Sequence, residues 1–345
     1  MHQMQGILSN PVKMIHIDII IPIRNQLKMT MACIDSTYLN SKEAFNLILV
    51  DDASEDIGLI AYLAKLKNKS KNITLLRNSS NIGRTKSVNR GLRASRAEVI
   101  VILDNDTLLA PEWLEKLKQC LFSSPYIGIT GPRMNNRFSQ IQDLPYQPIS
   151  LEPNLINSDI KTINAHLKQD KHTQYPCSPY VFGACMMIKR SVIKKCGYFD
   201  EIFDESKAGY FDDIDLCFRA SKAGFEIKVT NDLFIYHHNG ASYADHKERL
   251  ADIKRAYGLF DTKWHNTPQL TAIPDKLKKI RKPKDLIDSK NGWYFKRSKR
   301  TSLSKNYLLI NPPTEDTCEY TLFNKNADPN GLLRIAHSLI EDGHR

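Results

Sequence analysis

The chain has 345 residues, 41% hydrophobic and 25% charged, with a formal net charge of +11. That balance describes a globular protein long enough to bury a sizeable core, and it excludes a disordered or fibrous polymer. No apolar run approaches the ~18–20 residues of a membrane span, and the seven scattered cysteines, none in a C-x-x-C pair, point to reduced thiols rather than zinc ligands.

In chain order, residues 1–14 read as a tail without the pattern of a secretion signal. A strand at His16–Ile23 precedes a helix at Leu27–Leu39, and a second strand runs over Ala44–Asp52. A helix from Asp56 to Lys67, a strand at Asn72–Asn78 and a helix from Gly83 to Ser95 follow. Val99–Leu103 is a short strand apolar on both faces, and Pro111–Leu121 a helix. Repeated βα units of this length predict a parallel sheet with helices on both faces. From Pro132 to Pro179 the pattern lapses into a long polar excursion. Apolar signal returns in a strand at Tyr180–Arg190 with a short helix to Cys196, then a helix at Asp212–Ala223 and one or two strands within Glu226–Tyr243.

The domain signal spans 15–265. Residues 266–306 form a linker or extension in which twelve Lys or Arg stand against three Asp between Asp275 and Lys305. Two readings fit that run, a solvated linker or a segment drawn to an anionic surface. Nucleic acid is not the expected partner, since no binding module accompanies the charge. Residues 307–345 resemble the strand and helix that open a further α/β unit, cut short.

Five clusters carry chemistry. The strand Val99–Leu103 ends in Asp104-Asn105-Asp106, and ligands of open α/β sheets bind beyond the carboxyl ends of strands. Two carboxylates one residue apart repel unless a cation lies beside them, so a divalent-metal site facing phosphates is one reading. A solvated turn capping the next helix is the other. Asp51 and Asp52 end the second strand on the same rim, suited either to a nucleobase N–H or to a turn through Ser54 and Glu55. Gly83 opens a helix bearing Arg84, Lys86 and Arg90, which is a diphosphate site or an ordinary surface helix. Asp212, Asp213 and Asp215 crowd one helical turn, more acids than capping requires, which leaves one as a general base; Asp215 is the acid assigned to structure. His237 and His238 follow a strand, where one imidazole could complete a cation's shell, or both could be surface residues.

Taken in order, IIIPIRN, VDDASED, NIGRTKSVNRG, LDNDTLLAPEWL, GACMMIKRSVIKKCGYFDEIF, FDDIDLCFRASKAGF and YHHNGAS resemble the family 2 glycosyltransferases of the GT-A type, over residues 16 to 245. The resemblance implies an α/β fold with a Rossmann-like nucleotide-binding half on a mostly parallel central sheet, fused to an acceptor half and followed here by the basic C-terminal extension. It implies a metal-dependent, inverting hexosyl transfer from a nucleotide-diphosphate sugar, a UDP-sugar being the expected donor, with Mg²⁺ or Mn²⁺. The acceptor would be a hydroxyl of a glycan or lipid-linked oligosaccharide in surface polysaccharide assembly, and the location cytoplasmic, peripheral to the inner face of a membrane. Position by position, Pro22, Asp51 and Asp52 would line the base pocket, while Asn81, Gly83, Arg84 and Lys86 would border the nucleotide and diphosphate. Asp104, with Asn105 beside it, would face the ribose or sugar, and Asp106 and His237 would hold the metal. Asp213 would be the base, in a pair that reads Asp212-Asp213 where the family usually has Glu-Asp. The rival readings are an inactive nucleotide-sugar or glycan-binding module and a sugar-nucleotide pyrophosphorylase, whose Gly-rich loop is missing from PIRNQLKM.

Overall fold

The computed structural model describes residues 15–135, 157–168, 174–238 and 246–264, with two short strands at 308–310 and 320–322. Its first half follows the βα rhythm. Strands β1 (Ile17–Ile23), β2 (Asn46–Asp51), β3 (Ile73–Arg77) and β4 (Val99–Leu103) alternate with helices α1 (Leu27–Asn40), α2 (Ile57–Lys69) and α3 (Arg84–Ala94). The four strands pair in parallel, in the order β3-β2-β1-β4. Every residue of β1 and β4 is buried, as their unbroken apolar runs require of central strands. Ile17, Ile19, Ile21, Val99 and Val101 pack on one face, and Ile20, Ile100 and Ile102 on the other. Pro22 sits past the last β1–β4 pair, Ile20 with Ile102, where only the β2 side is still paired and a missing N–H is tolerated.

The second half adds β5 (Thr107–Leu108), α4 (Trp113–Phe122), β6 (Ile127–Met134), α5 (Asn157–Leu167), β7 (Cys185–Lys189), α6 (Arg190–Cys196), a 3-10 turn (Glu201–Asp204), α7 (Asp212–Lys222), β8 (Glu226–His237) and α8 (His246–Trp264). The complete order is β3-β2-β1-β4-β7-β6-β8-β5. Strand β7 is antiparallel to β4 and β6, β6 is parallel to β8, and β5 is antiparallel to β8. Helices α1, α2, α4 and α5 cover one face, and α3, α6, α7 and α8 the other. This is the mixed α/β architecture expected, with a Rossmann-like first half.

The middle of β8 slips against its neighbour. Pro132 faces Thr230, yet Arg133 faces Phe234. The extra β8 residues bend the strand, as a bulge does, and carry its last residues across to β5, where His237 pairs with Thr107.

Several expectations need correction. The polar stretch 132–179 contains the end of β6 and helix α5, whose Ile160, Ile163 and Leu167 are buried at helical spacing; residues 136–156 and 169–173 lie outside the described residues. Of the one or two strands expected within Glu226–Tyr243, the described residues form one, Glu226–His237. Helix α8 was not expected, although Ile253, Ala256, Phe260 and Trp264 repeat with helical period. Leu308–Ile310 is a strand, but its partner is the antiparallel Tyr320–Leu322 rather than a parallel neighbour. The tail 1–14, the basic stretch 266–306 and the helix expected at 331–345 lie outside the described residues. Cys33, Cys120, Cys185, Cys196 and Cys217 are free, as expected, whereas Cys177 is disulfide-bonded, against the expectation of reduced thiols throughout.

Helix α8 docks through an aromatic cluster and one buried charge. Phe218 lies 5.3 Å from both Phe260 and Trp264, ring centre to ring centre. Beneath them Asp215, fully buried, accepts from Arg219 Nε at 2.8 Å and Trp264 Nε1 at 2.9 Å, with Lys263 Nζ at 2.6 Å. Asp215 is therefore the structural acid of its trio, through docking rather than capping. Removing one member of such a cluster strands the rest. Asp215→Ala is expected to lower the unfolding free energy by about 3 kcal/mol in urea titrations, and Asp215→Asn, which still accepts from Trp264, by less. An unchanged midpoint for Asp215→Ala would contradict this account of α8.

Candidate active site and metal centre

Three ligand-type side chains meet where β4 ends and β5 joins β8. Asp106 Oδ1 lies 3.1 Å from His237 Nε2, and Asp104 Oδ2 lies 4.0 Å from the same nitrogen. One ligand atom from each of Asp104, Asp106 and His237 falls within 4.8 Å of the others. The backbone builds this cluster deliberately. Thr107 pairs with His237, and His238 N–H donates to the Asp106 carbonyl at 3.0 Å. Asn135 then grips the His237 peptide on both sides, accepting from its N–H at 2.8 Å and donating to its carbonyl at 2.9 Å. Two carboxylates and an imidazole suit a hard or borderline divalent cation. Buried His237 Nδ1 has no hydrogen-bond partner, so nothing in the described residues ties the ring to another role. The donor set fits Mg²⁺ or Mn²⁺.

The electrostatics agree with an acid–base pair awaiting a cation. Burial opposes the charge on Asp106, but His237, through its charge and hydrogen bond, outweighs it and holds the carboxyl below its usual range. Burial likewise opposes the His237 imidazolium, but Asp106, helped by Asp104, raises its pKa above the ordinary value.

On the far side of Arg84, α7 presents its acids. Asp212 is wholly buried; its Oδ2 accepts from Thr85 Oγ1 at 2.7 Å and lies 3.3 Å from Arg84. Asp213 is only partly buried, accepting from Gly183 N–H at 2.7 Å and Ile214 N–H at 2.7 Å. Burial pushes both carboxyls up, Asp212 most, while Arg84 pulls against that shift. Arg84 lies between the two groups. Its Nε donates to Asp104 Oδ1 at 2.9 Å and its terminal nitrogens reach Asp212 at 3.3 Å and the Gly183 carbonyl at 3.0 Å.

The other residues singled out from the sequence take distinct places. Asp52, buried at the end of β2, accepts from Ile82 N–H at 2.8 Å, Gly83 N–H at 2.9 Å and Asn78 Nδ2 at 2.8 Å. Asp51 pairs with Arg77 and accepts from Ser54 N–H at 2.9 Å. Both carboxylates thus hold loops at the rim. Asn105 donates to Thr30 Oγ1 at 2.8 Å, which anchors the Asp-Asn-Asp turn to α1. The start of α3, a natural anion site, is already served by the chain itself: Asp204 Oδ2 accepts from Lys86 N–H at 3.0 Å, and Arg84 N–H donates to the Lys207 carbonyl at 3.0 Å. Gly83 has φ 99°, and a Cβ there would fall 2.3 Å from Asp204, so only glycine lets that carboxylate close on the helix. Lys86, two helix positions from Arg84 and so about 200° round the axis, lines a separate cleft of about 530 Å³ with Asn81, Arg90, Arg93 and Lys207. That cleft shares no residue with the Asp104–Asp106–His237 group. Sequence reasoning missed Asn135, Asp204 and the pairing role of Gly183. Only Gly183 carried a signal, its place in the GAC segment.

The chain matches the family model described as glycosyl transferase family 2 over residues 18–197. It is 25% identical over 260 residues to the uncharacterized protein y4gI of Sinorhizobium fredii, covering 72% of this chain but 27% of that protein. It is 26% identical over 234 residues to the amylovoran biosynthesis glycosyltransferase AmsB of Erwinia amylovora, covering 66% of this chain and 71% of the relative. Among solved structures it resembles the mannosyltransferase PcManGT of Pyrobaculum calidifontis, determined in complex with GDP-Man and Mn²⁺, with a TM-score of 0.53, 17% identity, and coverage of 81% of this chain and 71% of that one. The shared fold is GT-A.

A pKa raised on folding stabilises the native state at pH below the unfolded value, about 6.5 for histidine, and that contribution is lost as pH rises through the folded value. The His237–Asp106 pair therefore favours the metal-free protein near pH 6 more than near pH 8. A divalent ion competes with the same proton, so its stabilising effect must run the opposite way. Melts with and without Mn²⁺ should show a metal-induced rise in Tm that grows with pH, and His237→Gln should flatten that growth. A rise independent of pH in the unaltered chain would refute the assignment.

Proposed function

The chain belongs to glycosyl transferase family 2, and from that premise we propose that it moves a sugar from a nucleotide-diphosphate donor to an acceptor hydroxyl, with inversion at the anomeric carbon. The observation that carries the reading is an unbroken run of contacts, from Asp106 through His237, Asp104, Arg84 and Gly183 to Asp213. It joins the metal-type ligands to the acceptor-side acid through Arg84, with the groups a single displacement requires at its two ends.

Asp213 acts as the base. Its raised pKa makes the carboxylate a stronger proton acceptor than an ordinary aspartate. The Gly183 and Ile214 N–H groups each occupy one carboxylate oxygen and fix the group's orientation, and each oxygen keeps a lone pair for an incoming hydroxyl. As the acceptor oxygen bonds to C1, its proton passes to Asp213 and the C1–O bond to the diphosphate breaks. No second nucleophilic carboxylate is needed, in contrast to retaining hydrolases. Asp106, His237 and Asp104 would hold Mg²⁺ or Mn²⁺, which when bound neutralises the charge growing on the departing diphosphate. Asp51 and Asp52 order loops at the rim, and Pro22 and Asp52, with Asp51 beside them, would line the nucleobase pocket.

A UDP-sugar is the proposed donor. The acceptor is a glycan or lipid-linked oligosaccharide in surface polysaccharide assembly, a reading supported by the likeness to AmsB. No helix among the described residues is long and apolar enough to cross a membrane. The reaction is assigned to the cytoplasmic side, with the basic stretch before Lys305 meeting an anionic bilayer.

A panel of nucleotide sugars assayed with Mn²⁺ should identify a donor. With it, Asp213→Asn is expected to cut kcat by about a thousandfold while donor affinity stays within about threefold, and Asp106→Ala to abolish the Mn²⁺-dependent part of UDP binding in calorimetry. Near-normal turnover in Asp213→Asn would overturn the base assignment.

A further inference from the structure

Arg84 occupies a position that the diphosphate role expected from the sequence does not explain. Its guanidinium is largely enclosed, with 17% of the side chain exposed, and its nitrogens are turned inward. Nε donates to Asp104 Oδ1 at 2.9 Å, and one terminal nitrogen lies 2.8 Å from the same oxygen in an ion pair. That leaves Asp104 Oδ2 as the oxygen facing His237. The same terminal nitrogen donates to the Gly183 carbonyl at 3.0 Å, while the Gly183 N–H donates to Asp213 Oδ2 at 2.7 Å. The other terminal nitrogen lies 3.3 Å from Asp212, which Thr85 also engages.

We propose that Arg84 is a positioning residue that sets the base and the metal-side carboxylate in one frame, acting on Asp104 directly and on Asp213 through the Gly183 peptide. The inference rests on the reading of Asp213 as the base. A planar fork spreads its donors over separate nitrogens in fixed directions, whereas an ammonium carries its three on one rotatable nitrogen, so this task selects arginine rather than charge alone. Glycine at 183 belongs to the same device. A Cβ there would lie 2.9 Å from the Arg84 terminal nitrogen and 3.3 Å from Asp213 Cβ, and either neighbour would have to give way. Helix α3 carries the donor-side loop and α7 the acceptor-side acid, so the guanidinium is a strut between the two halves of the site.

The test is kinetic and calorimetric. Arg84→Lys keeps the charge and loses the fork; it is expected to lower kcat about a hundredfold, the cost of a misplacement near 1 Å. Mn²⁺ and UDP affinities should stay within about threefold. Gly183→Ala leaves every charge in place and should show the same split, kcat down and donor affinity kept; it carries the test alone if the Arg84 variant fails to fold by circular dichroism. A fall in donor affinity matching the fall in kcat in both variants would make Arg84 a donor-binding residue and overturn the proposal. Wild-type kcat in either folded variant would overturn it as well. If Asp213→Asn abolishes transfer while Arg84→Lys and Gly183→Ala do not, this inference fails and the base assignment stands. If Asp213→Asn is itself active, the base assignment has failed first.

Discussion

Mutual repulsion among Asp104, Asp106, Asp212 and Asp213 is the constraint around which the molecule is built. Two like charges 4 Å apart near a protein surface cost about 4 kcal/mol at an effective dielectric constant near 20, so acids gathered this way need compensation. The chain supplies two cations from distant elements. Arg84, at the start of α3, serves Asp104 and Asp212, and His237, at the end of β8, serves Asp106. The neighbouring acids raise the arginine's pKa further, against the effect of its burial, so it stays charged. A divalent ion held by Asp104, Asp106 and His237 would add to that compensation.

The sheet is what brings these groups together. Parallel strands β1, β2 and β4 end on one rim, delivering Asp51, Asp52 and the Asp-Asn-Asp turn. Past the slip in β8, its last residues stay paired with β6 on one side and pair with β5 on the other, which sets His237 beside Asp106. On the other face, α7 is held by Asp215 and the aromatic cluster of α8, with Asp212 bonded back to Thr85 of α3 and Asp213 to the Gly183 amide. Each element meets the site at one end only, so core packing and site geometry are separable over most of the chain. They merge at α3, whose first residues are held by Asp52, Asp204 and Lys207.

Much of this was legible in the residues. The strand Val99–Leu103 and the helix beginning at Asp212 lie where apolar period and acidic first turn place them. That Asp106 and His237, separated by more than a hundred positions, belong together was legible only because seven segments occur in a family's order; that Asp104 joins them was not. Local patterns say nothing about pairing between β5 and β8, and a two-residue strand has no periodicity to read. Arg84 and Lys86 show a second limit. Both are cations at one helix start, and charge alone assigns both to a phosphate, yet the turn of the helix sends one to Asp104 and the other to a separate cleft. Asp52 is a third case. Its identity suited a base contact, whereas its oxygens are engaged by the amides of Ile82 and Gly83. Asn135 lies at the end of β6 with no motif around it, and its two-sided grip on His237 exists only in three dimensions.

The central claim is that acids and a histidine from separate segments form one cation site facing the base. Anomalous diffraction at the manganese edge, from crystals of the full chain grown with Mn²⁺ and UDP, tests it most directly. The account predicts one strong peak within bonding distance of Asp106 and His237, on the side of Arg84 that faces Asp104. A peak elsewhere, with Asp106 and His237 still paired to each other alone, would contradict it.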